Sequence, residues 1–502
     1  MNKGKVYIAG AGPGDPELLT LKVMNRIKTA DVIVYDHLIN RDVLKYAKPS
    51  AELIYAGKMP GEHLKSQDEI NGILVEKARA GLNVLRLKGG DPFLFGRGAE
   101  EAVALADEGI DFEIIPGVSS INAVPLYAGI PLTHRGLSSS VVVITGHKHT
   151  SEGIDEQSWD AIAKLDTIVV LMGVAQIKQI ARKLVDHGRD ANDPICVIRW
   201  GTTPVQSAHT YTLKDILEER HRPFMPPALI IIGSVVNLRN KLNWFEHLPL
   251  FGKKVLITRV EKDNAFLKQS LEELGAFVIE QPTIQFVDPD DRGPLDTALK
   301  NLKTYDTVIF TSANAVRRFI DRLWMLGKDI RDIGGTAVFA IGPKTARAIE
   351  ELRIRVDEIP EEFKAEGLVA MLGNRVKGRK ILIPRAQEAR TVLVDELKKM
   401  GAEVDVVPVY KTVNAGVRDD VLPYLKEGVD LAIFTSSSTV KNFFDMFGEN
   451  ALNMLKDADI ACIGPITAKT VNEMGLEVTI QPSSYTIEAL LKAVVLNYTK
   501  EF

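Results

Sequence analysis

The sequence predicts an α/β protein made of several sheet-centred domains, and three observations carry that prediction. Residues 4–245 alternate short β-branched runs with stretches whose apolar residues fall three and four apart, the pattern of strands and helices in turn. Residues 253–502 hold two copies of one pattern at an offset near 124, a domain-sized rather than solenoid-sized period. The length, 502 residues, allows three to four domains at about 150 residues each. Composition agrees: 45% hydrophobic and 25% charged residues suit a soluble globular chain. The net charge of −4 excludes a generally basic nucleic-acid binder, but leaves room for an acidic small molecule in a local basic pocket. Two cysteines, Cys196 and Cys462, exclude a disulfide framework and a cysteine-cluster metal site, and fit a reducing cytoplasm. No apolar run approaches 18 residues, so no membrane span is expected, and the start MNKGKVYIAGAG is too short in apolar residues for a signal peptide.

In chain order, a strand over Lys5–Ala9 leads into the turn Gly10-Ala11-Gly12-Pro13-Gly14-Asp15-Pro16. A helix follows, with Leu18, Leu21, Met24 and Ile27 along one side, Asp15 suited to its N-cap and Pro16 to its first turn. Further strands are expected over Val32–Tyr35, Leu53–Ala56, Asn83–Leu87, Phe112–Ile115, Val141–Thr145, Ile168–Leu171, Pro194–Ile198 and Ala228–Ile232. Trp244–Gly252 has no period and precedes a fresh strand, Lys254–Thr258. A boundary is therefore expected: residues 1–245, a linker over 246–252, and residues 253–502.

Within the second part, Lys253–Ile257 corresponds to Arg379–Ile383, Phe310-Thr311-Ser312 to Phe434-Thr435-Ser436, and Ile341-Gly342-Pro343 to Ile463-Gly464-Pro465. Two similar α/β lobes result, with a ligand site expected between them. Thr283–Val287 and Val406–Lys411 read as two joining strands, which makes one lobe discontinuous (about 253–282 with 413–502) and the other 288–405.

Several motifs bear on chemistry. The turn GAGPGD lacks the G-x-G-x-x-G spacing of a dinucleotide site, and no Walker A loop occurs. What remains is a tight turn that lets backbone approach a ligand. In Leu85-Arg86-Leu87-Lys88-Gly89-Gly90-Asp91-Pro92 a strand ends in two glycines and an acid. Backbone amides with one carboxylate would grip a small polar ligand; an ordinary strand-to-helix turn with Asp91 as N-cap explains the residues equally well. Pro116–Ser120 and Gly129–Gly136 add hydroxyls, His134 and Arg135. His147-Lys148-His149 has no third ligand nearby and reads as a loop, so no metal is expected. Trp159, Trp200, Trp244 and Cys196 read as packing residues. Residues 253–502 contain no histidine, which removes histidine acid–base chemistry from that part. There, Ser, Thr and Asn near helix starts either bind carboxylates or merely cap the helices.

Taken together, VYIAGAGPGDPELLTLK, LRLKGGDPFLFGRGAEE, IPGVSS, YAGIPLTHRGLSSS and GTTPVQ resemble the uroporphyrinogen-III C-methyltransferase family over nearly all of residues 4–245. The resemblance implies a tetrapyrrole-methylase fold of two α/β domains with S-adenosylmethionine in the cleft, and two methylations that give precorrin-2, on the way to sirohaem and cobalamin. It implies Pro13, Gly89, Gly90, Asp91, Leu94, Ser119, Ser120, Met172 and Gly201 around the methyl donor, Asp36 as proton acceptor and Lys58 as proton donor. A polycarboxylate substrate would need cations, for which Arg97, His134 and Arg135 are candidates beside Lys58. A cytoplasmic homodimer, without nucleic-acid or membrane partners, is expected by the same resemblance.

The second part, with its repeat, KVLITR, FTSAN, IGPKTA, IGPITA and VYKT, resembles uroporphyrinogen-III synthase. That family closes hydroxymethylbilane with inversion of ring D and without a cofactor. Tyr410 is the candidate for assisting hydroxyl departure, and Thr311, Ser312, Asn314, Thr345, Thr435, Ser436, Ser437 and Thr467 are candidates for carboxylate binding. The alternative is a methylase of a later precorrin joined to a non-catalytic tetrapyrrole-binding module.

Overall fold

A computed structural model describes residues 4–57, 65–146, 154–388 and 391–499. Five strands from the start of the chain form a parallel sheet: β1 (Val6–Gly10), β2 (Val32–Tyr35), β3 (Glu52–Tyr55), β4 (Val84–Lys88) and β5 (Phe112–Ile115), in the order β3-β2-β4-β1-β5. Alternation along the strands sends side chains to two faces. Leu85, Leu87 and Ile33 pack with Val23 and Ile27 on one face. Val6, Ile8, Val32, Val34 and Val84 pack with Leu74 and Leu105 on the other. Each such side chain, fully buried, contributes about 1.5–3 kcal/mol.

A second, mixed sheet holds β6 (Val141–Thr145), β7 (Thr167–Leu171), β8 (Pro194–Arg199), β9 (Ser207–Thr212) and β10 (Ala228–Ile232), ordered β6-β7-β10-β8-β9. Only β6 and β7 run parallel; β10 is antiparallel to both its neighbours. Trp159 lies 7% exposed in the core of this sheet, and Cys196 is fully buried on β8.

Residues 254–462 add β11 (Lys254–Ile257), β12 (Phe277–Glu280), β13 (Ile284–Val287), β14 (Thr307–Phe310), β15 (Ala337–Ala340), β16 (Lys380–Ala386), β17 (Glu403–Asn414), β18 (Leu431–Phe434) and β19 (Asp459–Cys462). They form two sheets, ordered β12-β11-β18-β19 and β13-β17-β16-β14-β15. The first draws its strands from both ends of this part of the chain. β17 is long because its first half pairs parallel with β16 and its second half antiparallel with β13.

Close packing divides the chain into two compact units. One is Met1–Val255 with Leu267–Val278 and Leu491–Phe502; the other is Leu256–Phe266 with Ile279–Leu490. The aperiodic stretch before β11 is packed rather than loose. Phe245 is 7% exposed and its ring meets Tyr127 and Phe251 edge-on at 4.8 and 5.3 Å, and Leu250 is fully buried. No helix among the described residues is long and apolar enough to cross a membrane.

Two local expectations are corrected. The first helix is split: a short 3-10 turn, Pro16–Leu18, is capped by Asp15, and an α-helix, Leu21–Thr29, is capped separately by Thr20. With that second cap Leu21 points outward, at 85% exposure; Ile27 faces the core as expected, and Val23 joins it there. Asp91 is not a helix cap. The next helix starts at Gly98, behind Arg97.

Candidate active site

In a parallel sheet all carboxyl ends lie along one edge, and loops from that edge build the site. Here the loops after β1, β4 and β5 touch backbone to backbone. Gly12 and Gly90 exchange N–H···O bonds of 3.3 and 2.7 Å. A Cβ on Gly10 or Gly117 would lie 2.3 or 2.2 Å from the Gly90 carbonyl oxygen, so only glycine permits the approach. Asp91 straps these loops: its Oδ1 accepts from Phe93 N at 2.8 Å and its Oδ2 from Gly117 N at 3.1 Å.

These loops and the ends of β7 and β8 enclose a cleft of about 1210 Å³. All nine residues expected around a methyl donor line it: Pro13, Gly89, Gly90, Asp91, Leu94, Ser119, Ser120, Met172 and Gly201. Asp36 and Arg97 line it too. Gly201 fits only without a side chain, since a Cβ would lie 2.4 Å from Val124 Cγ1. Ser119 caps the helix Ser120–Tyr127, accepting from Ile121 N at 3.3 Å. Among the described residues, seven non-glycine residues have positive φ, and Phe95, Arg97, Met172 and Trp200 of these line the cleft. Such strain persists where surrounding structure enforces it, which marks functional sites.

Other expected residues fall elsewhere. His134 and Arg135 are exposed and are not among the residues lining the cleft. Arg97 does line the cleft, with its guanidinium paired to Glu100 at 2.9 and 2.7 Å. Lys58 and the His147–His149 stretch lie outside the described residues. Trp200, expected to be a packing residue, lines the cleft instead, because β8 ends at Arg199 and the chain turns there with Trp200 at φ 49°.

Sequence reasoning missed a charged group behind Asp36. On β4, Arg86 and Lys88 follow Val84 on one face, and every residue of that strand is buried. Arg86 Nη2 donates to Asp36 Oδ1 at 2.5 Å, and its Nε donates to Glu101 Oε1 at 3.0 Å. Lys88 Nζ donates to the same Glu101 oxygen at 2.8 Å and lies 3.8 Å from Asp36 Oδ2. Burial pushes the Lys88 ammonium below its ordinary pKa, and the neighbouring Arg86 charge adds to this. The available signal was two cations at alternate positions of an otherwise apolar central strand.

In the second half, the repeat reaches the backbone. Ser312 and Ser436 cap the helices Ala313–Met325 and Ser437–Phe447 with φ/ψ of −160°/153° and −160°/155°. Their hydroxyls accept from Ala315 N at 3.1 Å and Thr439 N at 3.3 Å. Thr311, Asn314, Thr435 and Ser437 are half-buried, and Ser437 donates to the Ile466 carbonyl at 3.1 Å. Thr345 and Thr467 are only 5% exposed. Tyr410 is also buried, with its hydroxyl 3.3 Å from Ser312 Oγ and its ring against Phe286. Unforeseen were Phe363 and Tyr485, largely exposed rings that cover Gly342 and Gly464 at matching places in the repeat.

The first half is thus an α/β enzyme fold with a glycine-lined, carboxylate-bearing cleft at the carboxyl ends of its parallel sheet, and the second half is a duplicated α/β fold. Residues 5–217 match the family described as tetrapyrrole (corrin/porphyrin) methylases, and residues 265–492 the family described as uroporphyrinogen-III synthase HemD. The chain is similar to "Porphyrin biosynthesis protein HemD" of Ruminiclostridium josui, 34% identical over 98% of this chain and 97% of that one. It is also similar to a "Uroporphyrinogen-III C-methyltransferase" of Bacillus subtilis, 51% identical over 48% of this chain and 95% of that one. Among solved structures, uroporphyrin-III C-methyl transferase from Thermus thermophilus complexed with S-adenyl homocysteine is 40% identical, covers 47% of this chain and 94% of that chain, and has a TM-score of 0.41. The chain belongs to the tetrapyrrole-biosynthesis family that joins an S-adenosylmethionine-dependent uroporphyrinogen-III C-methyltransferase to a uroporphyrinogen-III synthase.

Proposed function

We propose that residues 253–502 close hydroxymethylbilane to uroporphyrinogen III with inversion of ring D, and that the first half methylates that product twice to precorrin-2. The observation that carries the reading is one cleft holding all nine expected donor-binding residues together with Asp36. The residues suit a nucleoside with a charged sulfur. Bare backbone at Gly89, Gly90 and Gly201 admits close approach, Ser119 and Ser120 offer hydroxyls, and Leu94 and Met172 offer an apolar wall. When bound, S-adenosylmethionine supplies an electrophilic methyl group.

The chain's own contribution is placement and proton handling. Holding two reactants at attack distance is worth up to about 7–11 kcal/mol of barrier. Asp36 then accepts the proton released as the macrocycle rearranges, and Lys58 returns one; such transfers contribute about 10²–10⁴-fold. Arg97, His134 and Arg135 attract the substrate carboxylates. The exposure of His134 and Arg135 keeps each such pair near the surface value of about 0.2–1 kcal/mol. Arg135→Ala then raises the macrocycle KM a few-fold at most.

In the second half, Tyr410 assists hydroxyl departure and the capping Ser312 and Ser436, with Thr311, Asn314, Thr345, Thr435, Ser437 and Thr467, bind carboxylates. Few strong acids are needed, because the task is to hold a reactive chain and direct its closure. The same reading places the protein in the cytoplasm as a homodimer formed through the first half; two buried free thiols suit a reducing compartment.

One incubation tests the core of it. Full-length protein, hydroxymethylbilane and S-adenosylmethionine should give a dimethylated type III product. An unmethylated type III macrocycle would reject the methylase reading, and a type I macrocycle would reject the synthase reading.

A further inference from the structure

The four charged groups behind the cleft form one connected set with a single open end. Glu101 is fully buried on the helix Gly98–Asp107, and its Oε1 accepts from Arg86 Nε, Lys88 Nζ and Gln67 Nε2 at 3.0, 2.8 and 3.2 Å. Its Oε2 is buried without a hydrogen-bond partner among the described residues. Arg86 and Lys88 are 2% and 4% exposed. Only Asp36, with 30% of its side chain exposed, reaches the cleft.

Stability does not account for this arrangement. Desolvating paired charges offsets much of their attraction, and apolar residues of similar volume serve a core equally well or better. The opposite face of the same strand does so, with Leu85 and Leu87. The buried charges do achieve an orientation. The planar guanidinium of Arg86 reaches Glu101 through Nε and Asp36 through Nη2, and so fixes Asp36 Oδ1 relative to the helix. Asp36 Oδ2 is left without a hydrogen bond among the described residues, with Lys88 Nζ at 3.8 Å as its nearest recorded cation.

We infer that Glu101 and Arg86 are positioning residues for Asp36: Glu101 orients Arg86, and Arg86 holds Asp36 so that Oδ2 receives the proton. The inference rests on the reading of Asp36 as proton acceptor. In that step a C–H bond of the macrocycle breaks and its electron pair returns to the ring system, neutralising the charge that methyl transfer left there. The proton goes to Asp36, which becomes neutral. Arg86 and Glu101 exchange no proton; they set where the acceptor oxygen stands.

The test uses full-length protein, with steady-state methylation of uroporphyrinogen III and calorimetric binding of S-adenosylhomocysteine. The variants are D36N, E101Q, R86K and the double variant D36N/E101Q. E101Q and R86K should each lower kcat about tenfold or more, with both KM values and the S-adenosylhomocysteine Kd within about twofold. On a D36N background E101Q should cause no further loss, because its effect passes through Asp36. Unchanged kcat in both E101Q and R86K, or losses that multiply in the double variant, would overturn the positioning role while D36N remained slow. Loss of S-adenosylhomocysteine binding together with kcat in both variants would mark a purely structural role and overturn it as well. A D36N enzyme at parental rate would overturn the Asp36 reading itself, and the inference with it.

Discussion

Individual side chains divide into those whose role was written in the sequence and those that needed a fold to acquire one. Cys196 belongs to the first kind, and Cys462 is buried like it. Burial pushes their thiols up to about 11 and about 12. Both therefore stay protonated and inert at neutral pH. Native protein at pH 8 should leave both unmodified by a thiol-titrating disulfide reagent, and unfolded protein should release two equivalents; fast native reaction would contradict the burial. Gly89, Gly90, Ser119 and Gly201, which line the cleft, were singled out by the family resemblance of their motifs, because glycines and hydroxyls after strands serve ordinary turns and helix caps equally well. Arg86, Lys88 and Glu101 were not, since their meeting depends on a helix packing over a sheet. Asp296 and Arg322 are another such pair, joined by two hydrogen bonds of 2.7 and 2.6 Å. The Arg322 hydrogen bonds hold the Asp296 carboxyl below its ordinary pKa. The pair thus stabilises the fold above the unfolded pKa near 4, and that gain is lost as pH falls through the lower folded pKa. Asp296→Asn should cost about 0.5 kcal/mol at pH 7 in urea unfolding, and the difference should vanish towards pH 2; a difference independent of pH would refute the linkage.

Among elements, strand existence was readable and strand neighbours were not. The expected strands of the first half lie within a residue or so of the observed ones, because β-branched runs between turn residues have a clear signature. β9 carries no such signature: Ser-Ala-His-Thr-Tyr-Thr is polar, half-buried except for the exposed Thr210, and at the sheet edge, so no apolar alternation marks it. The first helix divides for a different reason. Two capping residues, Asp15 and Thr20, stand five positions apart, and each starts its own element. In the second half, capping is where the repeat and stability meet. Ser312→Ala and Ser436→Ala each remove the acceptor for a helix-start N–H and should each cost about 1 kcal/mol of stability in denaturant unfolding. Loss of synthase turnover at constant stability would instead separate a binding role from the capping one.

For the whole molecule, the two families in one chain mean that the synthase part makes what the methylase part consumes, so a single protein can carry a labile linear precursor to a methylated macrocycle. The sequence repeat announced the duplicated second half and the two joining runs its discontinuous lobe, but not the order of strands within each sheet, which leaves no periodic trace. That order has a temporal side. In the sheet ordered β12-β11-β18-β19, β11 lies between β12 and β18, and β18 is made roughly 180 residues after β11. At about 5–20 residues per second, a nascent chain carries β11 with one edge unpaired for roughly 10–35 s. The five-stranded sheet β13-β17-β16-β14-β15, encoded wholly within that interval, is complete first. Released chains truncated before residue 431 should therefore protect β13–β17 from protease and leave β11 open to it. Equal protection would show that another segment shields that edge during synthesis. Until then the growing polypeptide presents a bare strand in a crowded cell, and the appeal of such an edge to chaperones and to aggregation is set by gene order as much as by residue chemistry.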